Sequence, residues 1–365
     1  MKAIIMAGGY GTRLRPLTMH SPKPVVEFAH STVFEIQIDA LMKAGVKEIM
    51  ICVAHQAEII EKIVEGLHSK YQVKMTLLVQ HPSMPPMNAL KLAKDKLYID
   101  NPDETFFVCN SDVITEFPFT EMKARMSDPT IELVMCVSKS KTPHLFGVVS
   151  CDQEDRVVEF HEKPQIFKGD LVNAGIYLFR NKIADMVIEQ DISSILTIFD
   201  ILMPKKAIKS HQLAHYWMDI GNPRDYLEAT KLHLDYLRKN KPEQLEQEDK
   251  VRIIGNVMIH PSAEVAPSAV LGPNVVVGPG AKVGAGVRLK DSVLFTGSVV
   301  KQSAFLDSTI LSWRSTVGRH ARIQGLTVIA EDVQIADELF INQAQILPNT
   351  SIKENIEKPG VVKLV

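Results

Sequence analysis

Every sixth residue from Val265 to Leu289 is aliphatic, and this spacing constrains the fold more than any other feature of the chain. In "VAPSAV LGPNVV VGPGAK VGAGVR L" the residues Val265, Leu271, Val277, Val283 and Leu289 stand six apart, with Gly272, Gly278 and Gly284 following three of them. Ala269, Val275, Ala281, Val287 and Val293 keep the same step, and so do Val317, Ile323, Ile329, Ile335, Ile341 and Leu347 further on. A hexapeptide period marks a β-helix, in which each repeat forms one flat side and the aliphatic residues stack inside. The turn spacing of an antiparallel sandwich would drift, so two long runs in register argue against one. The step fails between Phe295 and Val299, where a bulge or corner insertion is expected. A solenoid of this kind stacks only on neighbouring repeats and leaves open ends, which suits it to docking.

Ahead of the repeats the period is different. "KAIIMA", "EIMICV", "KMTLLVQ" and "FFVCNSD" are short β-rich runs, separated by helix-period stretches such as "FEIQIDALMKAG" and "AEIIEKIVEGL". Alternation of strand and helix predicts a parallel sheet covered on both faces, with ligands gathering at the carboxyl ends of its strands. The expected division is an α/β domain over 1–235, a polar linker over 236–252, a β-helix over 253–352 and a tail over 353–365.

The 365 residues carry a net charge of -2, which gives no ground for general nucleic-acid affinity. No apolar run reaches the ~20 residues of a membrane span, and the start lacks the pattern of a signal peptide. A cytoplasmic protein is expected. Cys52, Cys109, Cys136 and Cys151 lie in or beside apolar segments without metal or redox spacing, and are expected to be buried free thiols.

The first strand runs into "AGGYGTRLRPLT". Gly8, Gly9 and Gly11 allow close approach to the main chain, whose successive N–H groups can form an anion-binding nest. Arg13, Arg15 and Lys23 add positive charge. The Rossmann fingerprint would need glycine where Leu14 stands, and the Walker loop would need GK[ST], which is absent. A phosphate site is therefore expected, whereas a plain turn would leave the basic residues unexplained. "FFVCNSDV" ends a strand at Asp112, and "YWMDIGNPRDY" supplies Asp219. Mg²⁺ takes one or two carboxylates and completes its shell with water and phosphate oxygens. "FHEKPQIF" sets Glu162 beside Lys163, and "LVNAGIYLF" sets Asn173 and Gly175 in a strand.

The order "AGGYGTRLRPLT", "SPKP", "NSDV", "FHEKP", "NAGIYLF", "WMDIG", then hexapeptide repeats including "LSWRSTVG", resembles the sugar-nucleotide pyrophosphorylases over nearly the whole chain. The closest branch is eukaryotic-type GDP-mannose pyrophosphorylase (mannose-1-phosphate guanylyltransferase). The resemblance implies a Rossmann-like, mostly parallel nucleotidyltransferase sheet followed by a left-handed parallel β-helix. It also implies attack of a sugar 1-phosphate oxygen on the α-phosphorus of a nucleoside triphosphate, with GTP and mannose 1-phosphate as the expected substrates and pyrophosphate as the leaving group. In that reading Arg13, Lys23 and Lys163 are catalytic, and Ala7, Gly8, Gly9, Gly11, Thr12, Gln80 and Asp112 bind nucleotide. Gly147, Glu162, Asn173 and Gly175 bind sugar, and Asp112 and Asp219 hold Mg²⁺. Oligomerisation, with itself or with a homologous subunit, would run through the β-helix.

Three stretches depart from the family pattern. "QHPSMPPMN", Gln80 to Asn88, replaces a glycine-rich loop that reads the base, and Pro85 and Pro86 cannot supply its N–H donors. "SSILTIFDILMP" is apolar where charged residues are usual, and Leu145 and Phe146 replace a common lysine and tyrosine. All three fall on recognition, so a second expectation stands beside the enzyme: a regulatory homologue that senses nucleotide-sugar and docks on a catalytic partner. A third is acyl transfer by the repeat domain, with His260 and His320 as available bases.

Overall fold

The computed structural model describes residues 1–101, 104–246 and 251–362. Residues 247–250 of the expected linker and 363–365 of the expected tail lie outside the described residues. The chain forms two compact units, one of Met1–Tyr10 and Val33–Trp217, the other of Gly11–Thr32 and Met218–Val365.

In the first unit the four apolar runs become parallel strands Lys2–Met6, Glu48–Val53, Lys74–Val79 and Thr105–Asn110. Crossover helices Val33–Lys43, Ala57–Tyr71 and Asn88–Tyr98 bury Phe34, Ile38 and Leu41, then Ile60, Val64 and Leu67, then Leu90, Ala93 and Leu97. The first strand is central. Its successor Glu48–Val53 lies on one side and Thr105–Asn110 on the other, so the strand order reverses beside Lys2–Met6. A crevice opens at the carboxyl edge of such a reversal. Beyond it, strand Leu171–Arg180 runs antiparallel to Thr105–Asn110, to Leu133–Lys139 and to Gly147–Cys151, and the sheet ends on Val157–Glu162.

The second unit carries helix Pro223–Asn240 and a three-sided parallel β-helix. Its three inner columns are Leu271, Leu289, Leu306, Ile323 and Ile341; Val277, Leu294, Leu311, Ile329 and Ile346; and Val283, Val300, Val317, Ile335 and Ile352. The lost step falls one corner earlier than its sequence position suggested. It lies between Leu289 and Leu294, and it recurs between Leu306 and Leu311 and between Ile341 and Ile346. Leu347 is accordingly not in the stack; Ile346 is. The reason lies at that corner, where Ser292, Thr309 and Thr327 are wholly buried. Where the side is one residue short, the Thr309 N–H donates to Ser292 Oγ (3.1 Å) and the Ala344 N–H to Thr327 Oγ1 (3.3 Å). In the intervening coil the Thr327 N–H donates to the Ser308 carbonyl instead. In both places a buried side-chain hydroxyl accepts the main-chain N–H of a shortened side.

Candidate functional site

In the first unit the glycine turn rises from the central strand. The Ala7 N–H donates to the Cys52 carbonyl at 2.7 Å, and Gly8 and Gly9 follow over the carboxyl edge. A side chain on Gly9 would meet nothing within 4 Å, so the main chain there is open to a ligand. Met6 pairs with Asn110 in register, which sets the turn bearing Asp112 beside the glycine turn. The wholly buried Gln37 holds that second turn from beneath, its Nε2 donating to the carbonyls of Asn110 (2.8 Å) and Val113 (3.2 Å).

Gln80 leaves the end of strand Lys74–Val79 with its N–H on the Val53 carbonyl at 2.9 Å and its Oε1 buried without a hydrogen-bond partner. The loop after it consumes its own donors: the Ser83 N–H bonds His81 Nδ1 and the Met84 N–H bonds the His81 carbonyl. Pro85 and Pro86 then accept from the Asn88 and Ala89 N–H groups and start helix Asn88–Tyr98, which has no side-chain cap.

A second set of residues lies along the antiparallel strands. Gly147 pairs with Glu162 in register. A Cβ on Gly147 would come 2.2 Å from Phe160 Cζ and 3.1 Å from Glu162 Oε2. Lys163 follows with φ 43°, its N–H on the Phe146 carbonyl and its Nζ 3.6 Å from Glu162 Oε1. Register slips between Asn173 and Tyr177, a bulge that turns this edge. Within it the Gly175 N–H donates to Asn173 Oδ1 (3.1 Å), and Asn173 Nδ2 donates to Tyr177 Oη (2.7 Å). Gly175 has φ +73°, and a Cβ there would lie 2.5 Å from Asn110 Nδ2. Asn110 thus joins Gly175 and Asn173 to the turn bearing Asp112.

The departures are absorbed as packing. Ile195–Leu202 is a helix capped by Ser194, with Ile198, Phe199 and Leu202 buried and the Phe199 ring 5.0 Å from that of Phe160. Phe146 packs edge-on against Trp217 at 5.0 Å, and Leu145 is exposed. The cysteines are free, and burial pushes the Cys52 thiol up to about 12, which leaves it inert.

The second unit holds the remaining expected residues. Gly11 takes φ 63°, with Thr18 Oγ1 donating to its carbonyl, and a side chain there would press on Thr18 and Lys23. Thr12–Leu14 is a single 3₁₀ turn that presents Arg13, whose guanidinium lies over Gly221: a Cβ on Gly221 would meet Arg13 Nη2 at 3.3 Å. Lys23 Nζ stands 3.7 Å from Asp219 Oδ1, with the lysine side chain only 10% exposed. Asp225, three residues past the capping Asn222, joins them. Burial raises its carboxyl above the usual range even though Arg13, Arg224 and Lys23 pull the other way. Asp225, Asn110 and Gln37 were not singled out from the sequence. Gln37 had a signal, being an amide on the helix stripe shared by Phe34, Ile38 and Leu41. Among the described residues no three or more His, Cys, Asp or Glu gather as a metal cluster, and no helix is long and apolar enough to cross a membrane.

A sheet with an open glycine turn at its reversal, basic residues following that turn in the chain and a C-terminal parallel β-helix define a nucleotide-handling transferase. The chain matches the Nucleotidyl transferase family over residues 2–235 and the GMPPB C-terminal domain family over residues 253–362. It belongs to the nucleotidyl transferase family, whose members generally use a divalent cation. Among its relatives are a probable mannose-1-phosphate guanylyltransferase 1 of Oryza sativa subsp. japonica, 39% identical over 99% of this chain and 100% of that one. The mannose-1-phosphate guanylyltransferase catalytic subunit beta of Drosophila melanogaster is 41% identical over 99% of this chain and 97% of its own length. The mannose-1-phosphate guanyltransferase of Candida albicans is 41% identical over 99% and 100%. Among solved structures, a putative glucose-1-phosphate thymidylyltransferase of Bacillus anthracis, in complex with a sucrose, superposes with TM-score 0.57 at 22% identity, covering 63% of this chain and 93% of that one. At that identity the likeness concerns the fold.

Proposed function

We propose that this protein is a mannose-1-phosphate guanylyltransferase: it joins GTP and mannose 1-phosphate to give GDP-mannose and pyrophosphate. The reading is carried by the second unit's cluster, where Arg13 and Lys23 are held beside Asp219 and Asp225 at the end of the glycine turn. An exposed arginine and a largely buried lysine following a glycine turn match the charge that develops on a departing pyrophosphate. A phosphate oxygen of the sugar substrate attacks the α-phosphorus as the bond to the bridging oxygen of pyrophosphate breaks. No covalent enzyme intermediate is needed, so alignment and charge neutralisation are the demands on the protein.

In this assignment Arg13 and Lys23 neutralise the leaving group, while the main chain at Ala7, Gly8, Gly9, Gly11 and Thr12 cradles the triphosphate. Lys163 holds the sugar phosphate. Glu162, Asn173 and the main chain at Gly147 and Gly175 meet sugar hydroxyls. Gln80 reads the base, because its buried Oε1 can accept from a base N–H while the N–H groups of Ser83, Met84, Asn88 and Ala89 are engaged within the loop and the helix start. Asp112 and Asp219 offer the hard oxygen donors that Mg²⁺ prefers, with Lys23 Nζ 3.7 Å from Asp219 Oδ1. When bound, the ion would supply further neutralisation of the triphosphate. In this assignment residues 1–235 hold the chemistry, and the β-helix of 253–352 serves assembly with a second copy or a homologous subunit. The Drosophila relative's name, which calls that protein a subunit, supports the latter. Four free cysteines suit the reducing cytoplasm.

The test is pyrophosphate release by the purified protein with Mg²⁺ across nucleoside triphosphates and sugar 1-phosphates. Release confined to GTP and mannose 1-phosphate is expected. Another productive pair would reassign the substrates, and silence together with tight nucleotide-sugar binding would replace the enzyme by the regulatory homologue.

A further inference from the structure

The repeat motif "LSWRSTVG" has no part in the chemistry above, yet its tryptophan reaches the segment that carries the catalytic cations. Residues 11–32 contain two single 3₁₀ turns and a two-residue hairpin, Glu27–Phe28 with Ser31–Thr32, and little else of regular structure. That segment ends in a set of contacts to the solenoid and its helix. Trp313 Nε1–H donates to Glu27 Oε1 at 2.6 Å, and the Thr296 N–H donates to Glu27 Oε2 at 3.0 Å. Tyr226 Oη–H donates to the Glu27 carbonyl at 2.5 Å. Phe28 is wholly buried against Tyr226 and His233, Phe295 fills the space between Tyr226 and Trp313, and His30 Nε2 bonds the Val277 carbonyl at 2.9 Å. Both carboxylate oxygens of Glu27 are therefore engaged by groups of one solenoid corner, four residues after Lys23.

We infer that Glu27 and Trp313 form a positioning clamp that makes the solenoid part of the nucleotide site, fixing the segment on which Arg13 and Lys23 are carried. The inference rests on the proposed reading of those two cations. A carboxylate with both oxygens bonded can neither slide nor rotate, so the register of the chain from Lys23 to Phe28 is set by the corner holding Thr296 and Trp313. Anything that moves that corner, including a partner docked on the solenoid, acts on phosphate binding.

The decisive variant is Trp313→Phe, which keeps an aromatic ring for Phe295 and removes the N–H together with one ring of the indole. With Mg²⁺, GTP and mannose 1-phosphate, the KM for GTP is expected to rise about tenfold, as for loss of one charge-assisted hydrogen bond, while the KM for mannose 1-phosphate stays within about twofold. In a Lys23→Ala background the same change should add less than in wild type, because part of its effect passes through Lys23 and only the part through Arg13 is left. Hydrogen exchange of peptides within 11–32 should quicken in Trp313→Phe while the sheet strands keep their protection, a readout that needs no turnover. If wild type is active and Trp313→Phe changes both KM values equally, or multiplies fully with Lys23→Ala, the clamp is overturned. If wild type is silent with GTP and mannose 1-phosphate, the proposed function fails instead, and the exchange comparison still decides whether Trp313 holds the segment.

Discussion

Two half-buried histidines make the second unit sensitive to mild acid. His30 and His233 are both lowered from 6.5 to about 4, chiefly because burial disfavours the charged ring; His260 beside His30 and Lys241 near His233 push the same way. The folded value lies below the unfolded one, so the unfolded chain binds more protons between the two. Stability from this source is complete above about pH 6.5 and is lost as pH falls towards 4, where the loss levels off. At about pH 5 an unfolded histidine is almost wholly protonated and these two hardly at all, which costs the folded unit about 2 kcal/mol for each, or about 4 together. Carboxylates held low by partners, such as Asp332 by Arg314 and Asp337 by Arg319, titrate below this window and do not confuse it. The assay is denaturant unfolding at pH 8 and pH 5 of wild type and of His30→Gln/His233→Phe, in which glutamine keeps a donor for Val277 and phenylalanine keeps a ring against Phe28. Wild type should lose several kcal/mol between the two pH values, and the double variant should retain most of it. A double variant with the full wild-type pH dependence would refute the reasoning.

Gly147→Ala should cost about 1 to 3 kcal/mol of stability, the range for overpacking. Its Cβ must displace Phe160, which is backed by the buried Phe199; thermal unfolding gives the stability term, and steady-state kinetics should show the KM for mannose 1-phosphate rising with that for GTP little changed. Gln37→Leu removes the donor to the buried Val113 carbonyl, at about 1 to 3 kcal/mol, and the bond to the part-buried Asn110 carbonyl. The Mg²⁺ concentration for half-maximal activity should rise severalfold as the turn bearing Asp112 loosens; an unchanged metal requirement would mean that Gln37 only fills space.

The repeats were legible because a solenoid interior admits aliphatic side chains at every sixth place, and no other arrangement satisfies them. The corner at which the step fails was read one place late because two apolar residues stand together there. Leu294 points inward, but Phe295 continues the six-residue count from Leu289 and is equally buried, on the outside of the coil. The same ambiguity exchanged Ile346 for Leu347. The chemistry-bearing residues announce themselves by type and by their place after strands, but their partners do not. Lys23 meets Asp219 across nearly two hundred residues, and no local pattern encodes that pairing. Asn110 and Asp225 looked like the ordinary residues of a turn and a helix cap until the fold set one against Gly175 and the other among Arg13 and Lys23.

The shortened corner and the clamp have one structural cause. Had the side after Leu289 kept six residues, Phe295 would hold the inward position and its ring would be withdrawn from Tyr226. The next short side, from Leu306 to Leu311, keeps the following coil in step beneath it, so that Phe295 and Trp313 lie ring to ring 4.9 Å apart on the outer surface. Tyr226 of helix Pro223–Asn240 packs on Phe295, and Glu27 of residues 11–32 meets Trp313. The deletion is paired with Ser292 and Thr309, hydroxyl residues that satisfy the main chain where the coil is pinched. What looks in the sequence like a flaw in the repeat is therefore the feature that turns an aromatic pair outward, and the segment bearing Arg13 and Lys23 is fastened to that pair.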